Sequence, residues 1–156
     1  MSEDRGSPPW NFYWVAKGEL AGMAWPQSTD NIRYLIDRGI KHLVTLSPEK
    51  RPPVSDFPGM EWTEIPVAEF EAPTLDQIRE FVAICERHRQ RNQAVGVHCR
   101  QGRGRTGVMA ACFLVRFQDL SPGTAITDIR IKLPGSIETR EQERVVARYH
   151  DYIRGL

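Results

Sequence analysis

The sequence contains only three cysteines, Cys85, Cys99 and Cys112, an odd number without the spacing of a metal site. This pattern excludes a small scaffold held by disulfides and fits a reducing compartment, so we expect a cytoplasmic (cytosolic) location that can also include the nucleus. Long hydrophobic runs are also lacking. No segment is long enough to span a bilayer, and the N-terminal residues do not follow a signal-peptide pattern.

Neither sign of charge dominates, because 21 Lys and Arg stand against 20 Asp and Glu, giving a formal net charge of +1. This balance argues against general binding to nucleic acid or to a membrane surface. At 156 residues, without internal repeats, the chain has the size of one domain, which we expect to be monomeric. Residues 1–9 are polar and contain Pro8-Pro9, which predicts a disordered N-terminal tail before a domain at 10–156.

Strand and helix patterns alternate along this domain. The predicted elements are a short hairpin in 10–26, a helix at 30–38, strands at 41–46 and 60–67, a helix from Thr74 to about Arg91, a strand at 94–97, and helices at 108–117, 121–134 and 139–153. Such alternation predicts an α/β fold with a central, mostly parallel sheet of four to five strands and helices on both faces. In sheets of this type, ligands bind beyond the carboxyl ends of the strands.

The segment at 94–107, AVGVHCRQGRGRTG, predicts a short apolar strand, a tight loop with three glycines, and a helix that is apolar on nearly every side. A glycine-rich loop that runs into a helix start directs several backbone N–H groups into one concavity, where the helix dipole adds positive potential. This potential would stabilise the thiolate of Cys99 and make it nucleophilic at neutral pH. The guanidinium of Arg105 can hold two oxygens of a tetrahedral anion.

The residues from His98 to Gly107 follow the pattern His-Cys-x-x-Gly-x-x-Arg-Thr-Gly. This pattern resembles the signature of the cysteine-based protein tyrosine phosphatases, and the chain is similar to their atypical dual-specificity branch. The resemblance implies a protein tyrosine phosphatase-like fold. It also implies hydrolysis of phosphotyrosine, and of phosphoserine or phosphothreonine, in phosphorylated protein substrates through a cysteinyl-phosphate intermediate. The alternative is a buried core cysteine beside a helix-capping arginine, but a core cysteine needs no loop glycines.

The resemblance also implies a role for each signature residue. Cys99 would attack phosphorus, while Arg105 and the loop N–H groups would hold the equatorial oxygens. Thr106 would donate its hydroxyl toward Cys99, or would only occupy the first helical turn. His98 would orient the loop by hydrogen bonding rather than transfer protons. The phosphate-binding residues would be Arg100, Gln101, Gly102, Arg103, Gly104 and Arg105. No metal or other cofactor is expected, because the loop itself supplies positive potential.

The leaving group of this reaction needs a general acid, which could later activate water. In the resembled family this acid is usually an aspartate on an earlier loop, and here Glu69 holds that place. The extra methylene of glutamate moves the carboxyl by about 1 Å, and a misplacement of that size can cost on the order of a hundredfold. Asp56, Glu64 and Glu71 are alternative carboxylates, and Glu69 could also be a solvated surface residue.

A second loop, at 134–139, flanks the pocket in the resembled family. This placement makes Glu138 and Gln142 candidates for positioning the attacking water. Gln142 could instead cap the last helix, because Thr139 and Gln142 have the spacing of a capping box.

The two extra arginines of the loop, Arg100 and Arg103, depart from the common pattern. Basic residues at both positions are similar to those of a lipid phosphatase of the same superfamily, and extra cations favour polyanionic ligands. Alternatively, both side chains face solvent or pair with acidic residues. The functional alternatives are therefore a phosphatase for inositol phosphates, phosphoinositides or RNA 5′ ends, and a phosphate-binding module with little turnover. The Arg-Thr-Gly ending disfavours a rhodanese-like or arsenate-reducing protein.

Overall fold

The computed structural model describes residues 6–156. Its helices and strands follow the predicted order. They are β1 (Tyr13–Ala16), β2 (Leu20–Met23), α1 (Thr29–Asp37), β3 (Ile40–Thr45), β4 (Glu61–Glu64), α2 (Leu75–Gln90), β5 (Ala94–His98), α3 (Arg105–Phe117), α4 (Pro122–Lys132) and α5 (Arg140–Ile153).

The strands form a five-stranded sheet in the order β1-β2-β5-β3-β4. The β1–β2 hairpin is antiparallel, whereas β2, β5, β3 and β4 are parallel to their neighbours. The central strand β5 is buried along its whole length, as expected for a parallel strand with both faces covered. The predicted fold class, an α/β domain with a mostly parallel sheet, is confirmed.

Helices cover both faces of this sheet. On one face α1 packs Ile32 and Leu35 against Ile40 and Leu43 of β3. The larger core lies on the other face, where α3 is buried from its first residue to Val115 between the sheet and α2, α4 and α5. Because α3 is apolar on nearly every side, its burial holds the loop before it in one orientation.

The capping boxes predicted for α2 and α5 are both present, at Thr74/Gln77 and Thr139/Gln142. The start of α3 differs, because its N-cap residue Gly104 makes no side-chain capping hydrogen bond. The first N–H groups of α3 therefore have no side-chain acceptor among the described residues, which suits them to bind an anion.

Part of the predicted N-terminal tail, residues 1–5, lies outside the described residues. Residues 6–9 are neither helix nor strand, but they pack against the beginning of α1. Ser7 donates its backbone N–H to the Asp30 carbonyl at 3.3 Å and accepts a hydrogen bond from the Asn31 side chain at 2.9 Å, while Pro9 is buried. The packed domain thus includes residues before Trp10. Within the described chain, no helix combines the length and apolar character needed to cross a membrane.

Candidate active site

The loop between β5 and α3 lines a small cavity of about 60 Å³ at the carboxyl end of the sheet. Two loops that are distant in the sequence complete its walls. The lining residues are Glu69, Phe70, Cys99, Arg100, Gln101, Arg103, Gly104, Arg105 and Glu138. The structure therefore brings most of the residues predicted for the site together around one cavity.

The peptide planes of this loop are held from outside the cavity. The carbonyl of Arg100 accepts a hydrogen bond from the Trp25 N–H at 3.2 Å, and the carbonyl of Arg103 accepts one from the Ile137 N–H at 2.9 Å. In a trans peptide the following N–H points opposite to the carbonyl, so these two contacts turn the next N–H groups away from Trp25 and Ile137. This geometry supports a loop that binds an anion through its backbone.

Two glycines of the loop lie in close contact with neighbouring atoms. Gly102 has φ of +81°, and a Cβ there would lie 2.6 Å from the backbone carbonyl carbon of Met23. A Cβ on Gly104 would collide with the carboxylate oxygen of Glu138. Glu138 therefore lies directly against the loop, beside the start of α3.

Arg105 is buried, and Glu49 holds its guanidinium through two hydrogen bonds of 3.1 and 2.9 Å. The same guanidinium donates to the carbonyl of Val67 at 2.8 Å. Burial alone would lower the pKa of Arg105, but the hydrogen bonds that it donates to Glu49 and the proximity of Cys99 raise it overall. The hydrogen bonds from Arg105 in turn lower the pKa of Glu49, so this carboxylate stays ionised at neutral pH.

These contacts decide which donors of Arg105 remain for a ligand. Its Nη1 nitrogen uses both hydrogens, on Glu49 and on the Val67 carbonyl, and Nη2 uses one on Glu49. Among the described residues, the Nε hydrogen and the second Nη2 hydrogen of Arg105 have no acceptor. Both lie on one edge of the guanidinium plane, which is the geometry that binds two oxygens of a phosphate.

His98 is fully buried behind the loop and belongs to a chain of hydrogen bonds. Its Nδ1 contacts the carbonyl of Cys99 at 3.2 Å, and its Nε2 contacts the Thr45 hydroxyl at 2.7 Å. Because a carbonyl can only accept, Nδ1 carries the proton, and Nε2 accepts from Thr45. The Thr45 oxygen accepts from the Trp62 indole N–H at 2.7 Å. The proposed orienting role of His98 agrees with this arrangement, and burial lowers the pKa of His98 to about 4, so the ring is neutral.

Cys99 and Thr106 stand at opposite ends of the loop. Cys99 is almost completely buried at the base of the cavity, with 3% of its surface exposed. The Thr106 hydroxyl is buried in the first turn of α3 and has no hydrogen-bond partner among the described residues. A buried hydroxyl without a partner is costly, so this group is available to a ligand or to sulfur when the loop is occupied.

Glu69 lies at the mouth of the cavity, with its carboxylate 3.7 Å from a guanidinium nitrogen of Arg100. The alternative carboxylates do not line this cavity in the described chain. Glu64 is paired with Arg51 at 3.0 Å, whereas Asp56 and Glu71 are exposed. The position of Glu69 therefore favours it over the other three as a proton donor.

Gln142 lies behind the loop and is fully buried. Its side-chain oxygen accepts from the N–H groups of Glu138 and Thr139, at 2.6 and 3.2 Å, and its side-chain nitrogen donates to the carbonyl of Glu71 at 3.1 Å. The capping alternative for Gln142 is thus realised. In addition, Gln142 ties the start of α5 to the loop that carries Glu69.

A second cavity of about 400 Å³ adjoins the first and shares Arg100, Gln101 and Arg103 with it. Its other walls include Trp25 and Lys50, whose ammonium lies 4.6 Å from the centre of a Trp25 ring. The guanidinium of Arg103 is partly engaged, because it donates to the Pro134 carbonyl and to the Gln101 side chain.

Several residues that support the site were not predicted from the sequence. Glu49 follows β3, and the rule that ligands bind beyond the carboxyl ends of parallel strands could have drawn attention to that loop. The exposed Phe70, at the cavity mouth, has a φ of +69°, which no local pattern predicts. Thr45 and Trp62 act only through tertiary contacts.

The family model described as "Swiss Army Knife protein, DSP-PTPase phosphatase domain" matches residues 9–146. The chain belongs to this DSP-PTPase phosphatase family. It is similar to protein tyrosine phosphatase domain-containing protein 1 of Danio rerio, with 33% identity over 113 residues, 70% of this chain and 16% of that protein. It is also similar to the dual specificity protein phosphatase CDC14B of Mus musculus, with 34% identity over 74 residues, 47% of this chain and 15% of that protein. The phosphatase chain thus spans a small part of the length of these curated relatives.

Solved phosphatase structures share the fold. Tk-PTP in the active form superposes with a TM-score of 0.79 and 26% identity, covering 90% of this chain and 97% of that one. PTPMT1 in complex with PI(5)P gives a TM-score of 0.82 and 22% identity, covering 92% and 97%. Human DUSP28 gives a TM-score of 0.79 and 21% identity, and the match covers 96% of this chain and 99% of that one. The predicted protein tyrosine phosphatase-like architecture is therefore confirmed.

Proposed function

We propose that this phosphatase domain hydrolyses phosphotyrosine, together with phosphoserine and phosphothreonine, in protein substrates through a cysteinyl-phosphate intermediate. The observation that carries the proposal is the shared cavity, in which Cys99 and Arg105 meet at the uncapped start of α3. A cysteine and a two-donor guanidinium edge at a helix N-terminus form a site for a nucleophilic attack on a phosphate.

In the first step, the Cys99 thiolate attacks phosphorus and forms an S–P bond while the P–O bond to the leaving group breaks. The free edge of Arg105 and the loop N–H groups hold the equatorial oxygens as charge shifts in the transition state. Glu69 gives its proton to the leaving oxygen, because its carboxyl lies at the cavity mouth where that oxygen departs.

In the second step, the Glu69 carboxylate takes a proton from water, which attacks phosphorus and breaks the S–P bond. The unpartnered Thr106 hydroxyl donates a hydrogen bond to the departing sulfur, and inorganic phosphate is released. Glu138 and Gln142 hold the walls of the cavity in this step. Glu138 packs against Gly104, and Gln142 connects the last helix to the Glu69 loop.

Protein substrates are supported by two kinds of similarity. Within the family, we infer a resemblance to the small dual-specificity protein phosphatase 23, also called VHZ, from stretches spread over most of the chain, such as residues 20–26 and 134–139. The names of the curated relatives also describe protein phosphatases. The exposed ring of Phe70 at the cavity mouth offers a surface on which the ring of a phosphotyrosine can pack.

The test is hydrolysis of para-nitrophenyl phosphate from about pH 5 to pH 8, without added metal, by wild type, Cys99→Ser and the control Cys85→Ala. We expect Cys99→Ser to abolish turnover but to bind phosphate analogues, while the control retains turnover. Acid-quenched wild type should carry one phosphoryl group on the peptide that contains Cys99. Turnover that survives Cys99→Ser would contradict the mechanism. A wild type that binds phosphate analogues without turnover would identify a phosphate-binding module instead.

A polyanionic substrate, such as an inositol phosphate or a phosphoinositide, is the second candidate. It is favoured by the adjoining cavity, where Lys50, Arg100 and Arg103 contribute positive charge next to the catalytic loop. PTPMT1, which shares the fold, was crystallised with PI(5)P. Under this alternative, an Arg100→Ala/Arg103→Ala variant loses activity on inositol phosphates and keeps its rate on a phosphotyrosine peptide. If this variant loses activity on neither substrate, the polyanionic alternative is excluded.

A further inference from the structure

Outside the catalytic cavity, three potential metal ligands converge on the face of the sheet that α2 covers. His42 lies on β3, Glu61 is its direct partner on the edge strand β4, and His88 belongs to the last turn of α2. His42 pairs with Val95 of the neighbouring strand β5, and Val95 precedes His98 by three residues. This cluster is therefore separated from the catalytic loop by about 10 Å of strand.

The three ligand atoms have the spacing of a zinc site. His42 Nδ1 and His88 Nε2 are 3.0 Å apart, His88 Nε2 and a Glu61 carboxylate oxygen are 3.2 Å apart, and His42 Nδ1 and that oxygen are 3.9 Å apart. Ligands about 2.0–2.1 Å from a tetrahedral zinc ion lie roughly 3.3 Å from one another. Small side-chain shifts would thus place all three atoms around one ion.

Both histidines have the outer hydrogen bonds that orient a metal ligand. The other ring nitrogen of His42 contacts the Thr63 hydroxyl at 2.8 Å, and the other ring nitrogen of His88 contacts the Gln93 side-chain oxygen at 2.8 Å. Without an ion, the two inward nitrogens hydrogen-bond each other, so one of them carries a proton. An ion would replace this bond, since the Thr63 hydroxyl can accept the proton of His42 on its other ring nitrogen, and the outer contacts would hold both rings in place. Thr63 and Gln93 thus surround the cluster without being ligands themselves.

The burial of the two histidines and the exposure of Glu61 also suit a metal site. His42 and His88 are buried, whereas the Glu61 side chain is 51% exposed, so an ion and a water molecule can reach the cluster from solvent.

We propose that His42, His88 and Glu61 form a binding site for a divalent ion of the zinc type, with water as the fourth ligand. Two imidazoles and one carboxylate are a ligand set that zinc uses in proteins. The ion would join the edge strand β4 to β3 and to the end of α2, and would stabilise the folded chain by an amount that rises with the logarithm of the zinc concentration above the Kd.

One positive charge opposes this binding. A guanidinium nitrogen of Arg87 lies 3.4 Å from His42 Nδ1 and 3.9 Å from the second carboxylate oxygen of Glu61. The Arg87 side chain is 43% exposed and can turn toward solvent when an ion enters. Removal of this charge should therefore raise the affinity of the site for the ion, whereas removal of a ligand should lower it.

The test is titration of the full chain with zinc by calorimetry, in a Cys99→Ser background that removes the catalytic thiolate as a competing ligand. We expect one ion per chain and a higher melting temperature. Glu61→Gln should weaken binding by more than about 100-fold and Thr63→Val by about 10- to 100-fold, whereas Arg87→Gln should tighten it. His150→Asn, a change at a histidine on α5 outside the cluster, should have no effect.

Cobalt provides a second measurement that does not depend on stability. It should give the visible absorption of a tetrahedral ion in the Cys99→Ser protein, and Glu61→Gln should remove that absorption. Glu61 is half-exposed, so its substitution is compatible with folding even if replacement of the buried His88 is not. The absence of saturable binding, or equal binding by Glu61→Gln and His150→Asn, would overturn the proposal.

Discussion

Among the single residues of the site, Arg105 shows how neighbours limit what one side chain can bind. Glu49 and the Val67 carbonyl occupy three of its five N–H donors and leave a single edge toward the cavity. The pair also keeps a buried cation neutralised, since a guanidinium that lost its partner would be costly to hold inside the protein. Glu49 is thus a positioning residue for the proposed phosphate-binding arginine.

Glutamine at position 49 keeps one acceptor for Arg105 but removes the charge that fixes the guanidinium, so Glu49→Gln should impair turnover while the chain stays folded. We expect kcat/KM for para-nitrophenyl phosphate to fall by about 10- to 100-fold, because a displacement of about 1 Å in a binding group can cost on the order of a hundredfold. Glu19→Gln is the matched control, since it removes a partner of Arg89 at 2.8 Å in another part of the molecule. An unchanged kcat/KM in Glu49→Gln would show that Arg105 needs no such support.

The proposed role of Glu69 as the general acid can be tested by its substitution. If its carboxyl protonates the leaving oxygen, Glu69→Gln should slow phenyl phosphate, a poor leaving group, by about 100-fold or more, and para-nitrophenyl phosphate much less. Glu71→Gln, two residues away and exposed, is the control. The measurement is the dependence of kcat on the leaving-group pKa in a series of aryl phosphates. The same dependence in Glu69→Gln and wild type would exclude Glu69 as the acid.

At the scale of elements, hydrogen bonds connect the edge of the sheet with the catalytic loop. Trp62 on β4 donates to Thr45 on β3, Thr45 donates to His98 at the end of β5, and His98 donates to the Cys99 carbonyl. Three neighbouring strands therefore fix the peptide that follows the nucleophile. In such a series of hydrogen bonds, the loss of one side chain leaves its buried neighbours without a partner.

Thr45→Val tests this chain with little change in volume. It leaves the Trp62 N–H and the buried His98 Nε2 without partners, so we expect the free energy of unfolding to fall by about 1–3 kcal/mol. Urea unfolding measures this change, and Thr127→Val, on the exposed side of α4, serves as the control. Equal losses for the two variants would mean that the hydrogen bonds add no stability.

At the scale of the whole molecule, burial of polar residues in the layers around the sheet makes stability depend on pH. His42 and His98 are buried, and burial lowers the pKa of each to about 4 from an ordinary value of 6.5. The unfolded chain binds protons at these histidines below pH 6.5, whereas the folded chain does not until about pH 4. Stability is therefore complete above pH 6.5 and falls between these two values.

We accordingly expect the free energy of unfolding to be about 2–4 kcal/mol lower at pH 5 than at pH 7, since each proton adds about 1.4 kcal/mol per pH unit. Urea unfolding with a chelator present, which keeps metal from the His42 cluster, measures the difference. The slope against pH gives the number of protons taken up on unfolding. A stability that is constant over this range would show that neither histidine is held neutral by the fold.

Local sequence determined much of this protein. Hydrophobic periodicity and caps such as Thr74/Gln77 are properties of a few neighbouring residues, so the order and type of the elements could be predicted. The loop that contains Cys99 and Arg105 could also be recognised, because its glycines and both functional residues lie within one short segment. The family match over residues 9–146 agrees with that interpretation.

The way in which distant loops complete the site depends on tertiary packing. Glu49 meets Arg105 across 56 positions, and Gln142 reaches the carbonyl of Glu71 across 71. The cluster of His42, Glu61 and His88 is equally invisible in the sequence, because its members come from two strands and a helix. Periodicity tells which face of an element is buried, but contacts between elements depend on the strand order and register of the sheet, which are set when the whole chain packs.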